Sequence, residues 1–108
     1  ELQALEYAEL RTLAALSVGK APGPESSILK IVGTELAQKM DEMTVELAGY
    51  NCLPFVPEQF EEGFEGEQMG PGSSAAAALS YFNNRKLSIF GGSNEVQRNI
   101  ISKAVLGL

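Results

Sequence analysis

The chain has 108 residues, 44% of them hydrophobic, with a mean hydropathy of -0.02. That fits one globular domain with a modest core and does not fit a disordered segment. Fourteen acids against eight bases give a net charge of -6, and there is no histidine. Scattered bases do not make a phosphate-neutralising patch, so nucleic-acid binding is set aside, as are Cys–His nucleophiles and histidine metal sites.

Residues 1–18 carry Leu2, Leu5, Leu13 and Leu16 at helical spacings, with Ala8 between them, and predict an amphipathic helix. The chain begins inside this pattern, with no initiator methionine or targeting segment, and so reads as a fragment of a longer polypeptide. Gly19 and "GKAPGPE" break the helix, because Pro22 and Pro24 cannot continue it. A second helix starts near Pro24 or Glu25, where an acid suits the positive end of the dipole. Leu29, Val32, Leu36, Met40, Met43 and Leu47 then recur at steps of three and four, predicting a helix of about 24 residues ending near Gly49. Gly33 inside it costs about 1 kcal/mol against alanine and implies close packing on a neighbouring helix.

Residues 50–73 lose the periodicity and form a long acidic loop, read as a surface excursion pinned by Phe60 and Phe64. Those two aromatics stand four apart and fit one helical turn. The loop lacks the D-x-[DN]-x-[DN]-G pattern of a calcium site, and no metal site is predicted. Cys52, the sole cysteine, allows no internal disulfide and reads as a small buried apolar group beside Leu53, Pro54 and Phe55. Residues 74–88 start with a serine cap candidate and four alanines, and predict a third helix. Residues 94–106 predict a fourth, with Val96, Ile100, Ile101, Ala104 and Val105 on its apolar face and Gly107 as its stop. The reading is a single all-α domain over residues 1–108, an up-down four-helix bundle. No apolar run approaches the roughly 20 residues of a membrane span.

The segment before the last helix carries the chemistry. Gly91 and Gly92 permit backbone angles that other residues resist. Ser93 or Asn94 is placed to cap the helix, and Asn94 with Gln97 matches a capping box. A capped helix start, with free N–H groups and partial positive charge, is able to receive a phosphate. It is equally an ordinary feature of helical hairpins. Glu95 complements the dipole but repels a phosphate; Arg98 either offsets that charge or pairs with Glu95.

The closing stretch "SIFGGSNEVQRNIISKAVLGL" resembles the last helix of the acyl-CoA dehydrogenase family. "PGPESSILKIVGTELAQKMDEMTVELAG" resembles the long helix that precedes it in some bacterial members. The resemblance implies the C-terminal helical domain of an FAD-dependent enzyme of fatty acid metabolism that desaturates acyl-CoA thioesters between Cα and Cβ. In that chemistry a carboxylate takes the α proton and the flavin takes a hydride. It further implies a dimer or tetramer, homomeric or heteromeric, an electron-transfer partner such as a flavoprotein, and a cytoplasmic or mitochondrial location.

By resemblance, Ser93, Asn94 and Glu95 are cofactor-side positions. Gly91 and Gly92 line the substrate cleft beside the flavin, and Gly49 lies near the FAD of a neighbouring subunit. Gly91 also stands where common members keep the catalytic glutamate, so no catalytic residue is assigned in this chain. Glu95 lies about one helical turn further on and is a weak replacement. In some relatives a glutamate from an earlier helix, which would lie upstream of Glu1, supplies the base, and others pair an active subunit with one that lacks it; the chain alone is expected to be inactive. Two other readings stand beside this one. The first is a non-catalytic subunit of a heteromeric acyl-CoA dehydrogenase. The second is a stand-alone helical interaction module using the Ala75–78 and leucine faces.

Overall fold

Glycine and proline set the breaks between helices, and the helices fall where periodicity places them. A computed structural model describes residues 1–108 as four α-helices with no strand. These are α1 (Leu2–Ser17), α2 (Glu25–Ala48), α3 (Ser74–Asn84) and α4 (Asn94–Leu106). Short 3-10 turns occupy Gly49–Cys52, Pro57–Phe60 and Arg85–Ser88. The fold class is all-α, as expected, and α2 has the anticipated 24 residues. Gly107 ends α4 in the left-handed conformation, with its N–H donating to Lys103 O at 3.2 Å.

Three local readings change. α3 ends at Asn84 and not at Ser88, because the backbone tightens to 3-10 geometry over the last residues. Ser73 precedes α3 in helical geometry and its side chain makes no cap bond, so alanine propensity starts that helix without a serine cap. The single turn in the acidic loop holds Phe60 but not Phe64.

The chain divides into two compact units, one of residues 1–37 with 86–108 and one of residues 38–85, and α2 runs through both. In the first unit Ser27 and Ile31 are buried on α2 and Asn94 is buried at the start of α4. Leu5 of α1 lies under Gly33. A Cβ built on that glycine would stand 3.8 Å from Leu5 Cδ2, an ordinary contact. The spacing therefore does not require a glycine, and the close packing expected from sequence is not its reason.

In the second unit α3 packs on the turn at Gly49–Cys52. Cys52 and Ala77 are buried there with Ser74, and the Cys52 thiol lies 3.2 Å from Gly49 O. The small Ala77 side chain suits this close approach. The carboxyl end of α3 would leave carbonyls unsatisfied. Gln38 Nε2 donates to Arg85 O at 3.1 Å and to Asn84 O at 3.3 Å, and Asn84 Nδ2 donates to Asp41 Oδ2 at 2.9 Å.

The apolar stripe that revealed α2 is not its buried face. Met40 is 53% exposed and Leu47 87% exposed, whereas Ser27 and Ile31 are covered. Periodicity reports that a stripe exists and says nothing of what lies against it. The apolar face of α4 is similarly open at Val96, Ile100 and Val105.

Candidate functional site

The segment from Ser88 to Glu95 is built from a closed turn, two glycines and a capped helix. Lys86 O accepts from Ile89 N at 2.9 Å and from Phe90 N at 3.1 Å, which folds the chain back after Ser88. Gly91 and Gly92 follow at φ +66 and φ +84. Two successive left-handed residues cost an L side chain about 1–2 kcal/mol each, so glycine is the fitting residue at both. A Cβ on Gly91 would meet nothing within 4 Å, whereas one on Gly92 would lie 2.9 Å from Gln97 Nε2. Gln97 Nε2 donates to Gly91 O at 3.0 Å and so closes the turn from the helix side.

Ser93 is the cap. It has extended geometry, its Oγ accepts from Val96 N at 3.4 Å, and its carbonyl accepts from Gln97 N at 3.0 Å. The capping box expected between Asn94 and Gln97 does not form. Asn94 is already the first helical residue, and the Gln97 amide is occupied by Gly91 O.

Asn94 turns inward instead and is only 5% exposed. Its Oδ1 accepts from Lys30 Nζ at 2.7 Å, and Thr34 Oγ1 lies 3.2 Å away, its one proton shared between Asn94 Oδ1 and Ile31 O at 3.0 Å. Lys30 is thus the firm partner of that oxygen, and the donors of Asn94 are its side-chain Nδ2 and its backbone N–H. Lys30 Nζ also donates to Ser88 O at 3.3 Å.

Glu95 stays exposed at the first turn. Its carboxyl is held below the usual glutamate value, first by a hydrogen bond from its own backbone N–H and then by the Ser93 hydroxyl. Loss of hydration opposes this and outweighs the favourable charge of either Arg98 or Lys30 taken singly. Arg98 Nη2 pairs with Glu35 Oε1 at 2.8 Å, while its Nη1 lies 4.0 Å from Glu95 Oε1. The guanidinium thus belongs mainly to α2, with the i,i+3 pair as its weaker contact.

The expected site residues Gly91, Gly92, Ser93, Asn94 and Glu95 form this one continuous corner. Gly49 lies in the other unit, after the end of α2, with nothing within 4 Å of where its Cβ would be. Lys30 and Thr34 were not singled out from sequence. Their only signal was polarity at positions adjoining the Ser27–Ile31 face of α2, one helical turn apart. No group of acidic or cysteine side chains gathers as a metal site.

The corner presents an open glycine surface, a helix N-terminus and a hydroxyl. The family described as "Acyl-CoA dehydrogenase, C-terminal domain" matches residues 1–106. No curated protein and no solved structure shows a significant match to the chain. With the family matched along nearly its whole length, the chain belongs to the acyl-CoA dehydrogenase C-terminal domain family.

Proposed function

We propose that this domain serves an FAD-dependent acyl-CoA dehydrogenase, with the corner at Gly91–Glu95 on the cofactor side of the acyl-CoA cleft. The carrying observation is the open space beside Gly91, where an added Cβ would meet no atom within 4 Å. A planar ring needs such a surface, and the capped start of α4 supplies polar groups next to it. FAD, when bound, would accept the hydride from the acyl Cβ. Ser93 would stand on the cofactor side and Asn94 would offer its backbone N–H. Gly49 would serve a cofactor site formed with a neighbouring subunit. The exposed apolar residues of α2 and α4 would be covered by other parts of the enzyme and by further subunits in a dimer or tetramer.

Gly91 carries no carboxylate, so it takes no proton from the acyl Cα. Glu95 is a poor substitute. Its lowered pKa makes it a weaker base, and its carboxylate is engaged by Ser93 and by its own backbone. The base would come from another segment of the enzyme. The reading predicts that the intact protein purifies with a flavin absorbance that bleaches under anaerobic addition of an acyl-CoA thioester. An intact protein that neither retains nor takes up FAD refutes it.

A second reading is favoured by the same glycine. The parent is then a non-catalytic subunit that keeps the cofactor corner but no base. Flavin that binds yet is not bleached by any acyl-CoA thioester identifies this case. An electron-transfer flavoprotein is the reoxidising partner under the first reading.

A further inference from the structure

We propose that Lys30 is the positioning residue of the cofactor-side turn, a single ammonium that holds both ends of the 88–94 segment. This rests on the cofactor reading above for its purpose, though its geometry stands without it. One Nζ donates to Ser88 O at 3.3 Å and to Asn94 Oδ1 at 2.7 Å. An ammonium has three N–H donors, so one group bonds both acceptors at once.

The two acceptors differ in kind, and the difference fits their places. Ser88 closes the 3-10 turn Arg85–Ser88, whose carbonyl end carries partial negative charge and welcomes a cation. Asn94 opens α4, whose amide end repels one. There the neutral carboxamide oxygen stands between the ammonium and the helix, and Glu95 balances the charge.

Gly91 and Gly92, adjacent glycines both at positive φ, lie between those two anchors. Within the loop itself Gln97 Nε2 donates to Gly91 O. Left to themselves, two adjacent glycines sample many conformations, which opposes a fixed cofactor surface. Lys30 bonds the segment at each border. Thr34 Oγ1, 3.2 Å from Asn94 Oδ1 and 3.0 Å from Ile31 O, gives the carboxamide a second, shared contact. The burial of Asn94 keeps water from replacing either donor cheaply. Lys30 is therefore a positioning residue, acting on the cofactor through the turn and not by touching it.

The test uses the intact protein with Lys30→Met, Lys30→Gln, Lys30→Arg and Thr34→Val. Amide hydrogen exchange is followed at Ile89 and Phe90 before the glycines and at Val96 and Gln97 after them, and FAD affinity is measured by flavin fluorescence. Loss of a charge-assisted bond at each border predicts exchange about tenfold faster or more on both sides together in Lys30→Met. The amides of α3 keep their protection, and FAD binds more weakly. Lys30→Arg restores both readouts in large part, which a purely space-filling role of Lys30 would not produce. Thr34→Val loosens only the 96–97 side.

Where Lys30→Met does not accumulate as folded protein, the smaller polar change Lys30→Gln is read the same way. Unchanged exchange on either side of the glycines overturns the proposal. So does loss of protection throughout the chain with no excess at 89–97. A wild-type protein without FAD whose Lys30→Met variant still deprotects both borders keeps the clamp and refutes the flavin reading. A flavin-bearing protein whose Lys30→Met variant retains both protection and affinity does the reverse.

Discussion

Gly91 and Gly92 differ in what a methyl group would meet, and that difference is measurable. At Gly91, φ is +66 and the added Cβ meets nothing within 4 Å, so Gly91→Ala carries only the backbone cost. That cost is about 1–2 kcal/mol for a left-handed L residue, reduced by up to about 1 kcal/mol through the stiffer unfolded chain. At Gly92 the same backbone term applies at φ +84, and the Cβ would also press on Gln97 Nε2 at 2.9 Å. Relief requires Gln97 to leave Gly91 O, forfeiting a 3.0 Å hydrogen bond worth about 1 kcal/mol. Gly92→Ala is therefore expected to destabilise the start of α4 by about 1 kcal/mol more than Gly91→Ala, or roughly fivefold in local opening.

Native-state exchange of the amides at positions 96 and 97 reads this directly, since their N–H groups bond Ser93 Oγ and Ser93 O. Gln97→Ala removes both the obstruction and the hydrogen bond, so in that background the two glycine substitutions should cost the same. If Gly91→Ala is the costlier change, or if the two stay unequal without Gln97, the reasoning about this turn is wrong.

Gly33→Ala is expected to raise stability by up to about 1 kcal/mol, because the new methyl meets Leu5 Cδ2 at an ordinary 3.8 Å. A lower denaturant midpoint for this variant would mean that something packs there more tightly than α1 does. Glu95 has a lowered pKa, so its contribution to the α4 start is complete above the usual glutamate range and is lost as pH falls through the lowered value. Carboxyl NMR should place its titration below that of free glutamate, and Glu95→Gln should remove that part of the acid sensitivity. The Arg98–Glu35 pair is half exposed, with side chains 54% and 55% accessible. A double-mutant cycle should give less than about 1 kcal/mol of coupling, shrinking with added salt.

Local chemistry determined the helices. Pro22, Pro24 and the glycines forced the breaks, and steps of three and four fixed the length of α2. The stop at Gly107 and the capped start of α4 were legible for the same reason, since both depend on neighbours a few residues apart. The glycine pair was legible too, because no other residue accepts two consecutive positive φ angles at low cost.

Tertiary structure decided what the sequence left open. It chose Ser93 over Asn94 as the cap by drawing the Asn94 carboxamide inward to Lys30 and Thr34, which lie 64 and 60 positions away along the chain. It buried Ser27 and Ile31 in place of the methionine and leucine stripe, and it left Gly33 with room to spare. Periodicity fixes the angle of each side chain about its own helix axis. Which of those angles meets a partner is set by residues distant in sequence, and no local pattern encodes that meeting.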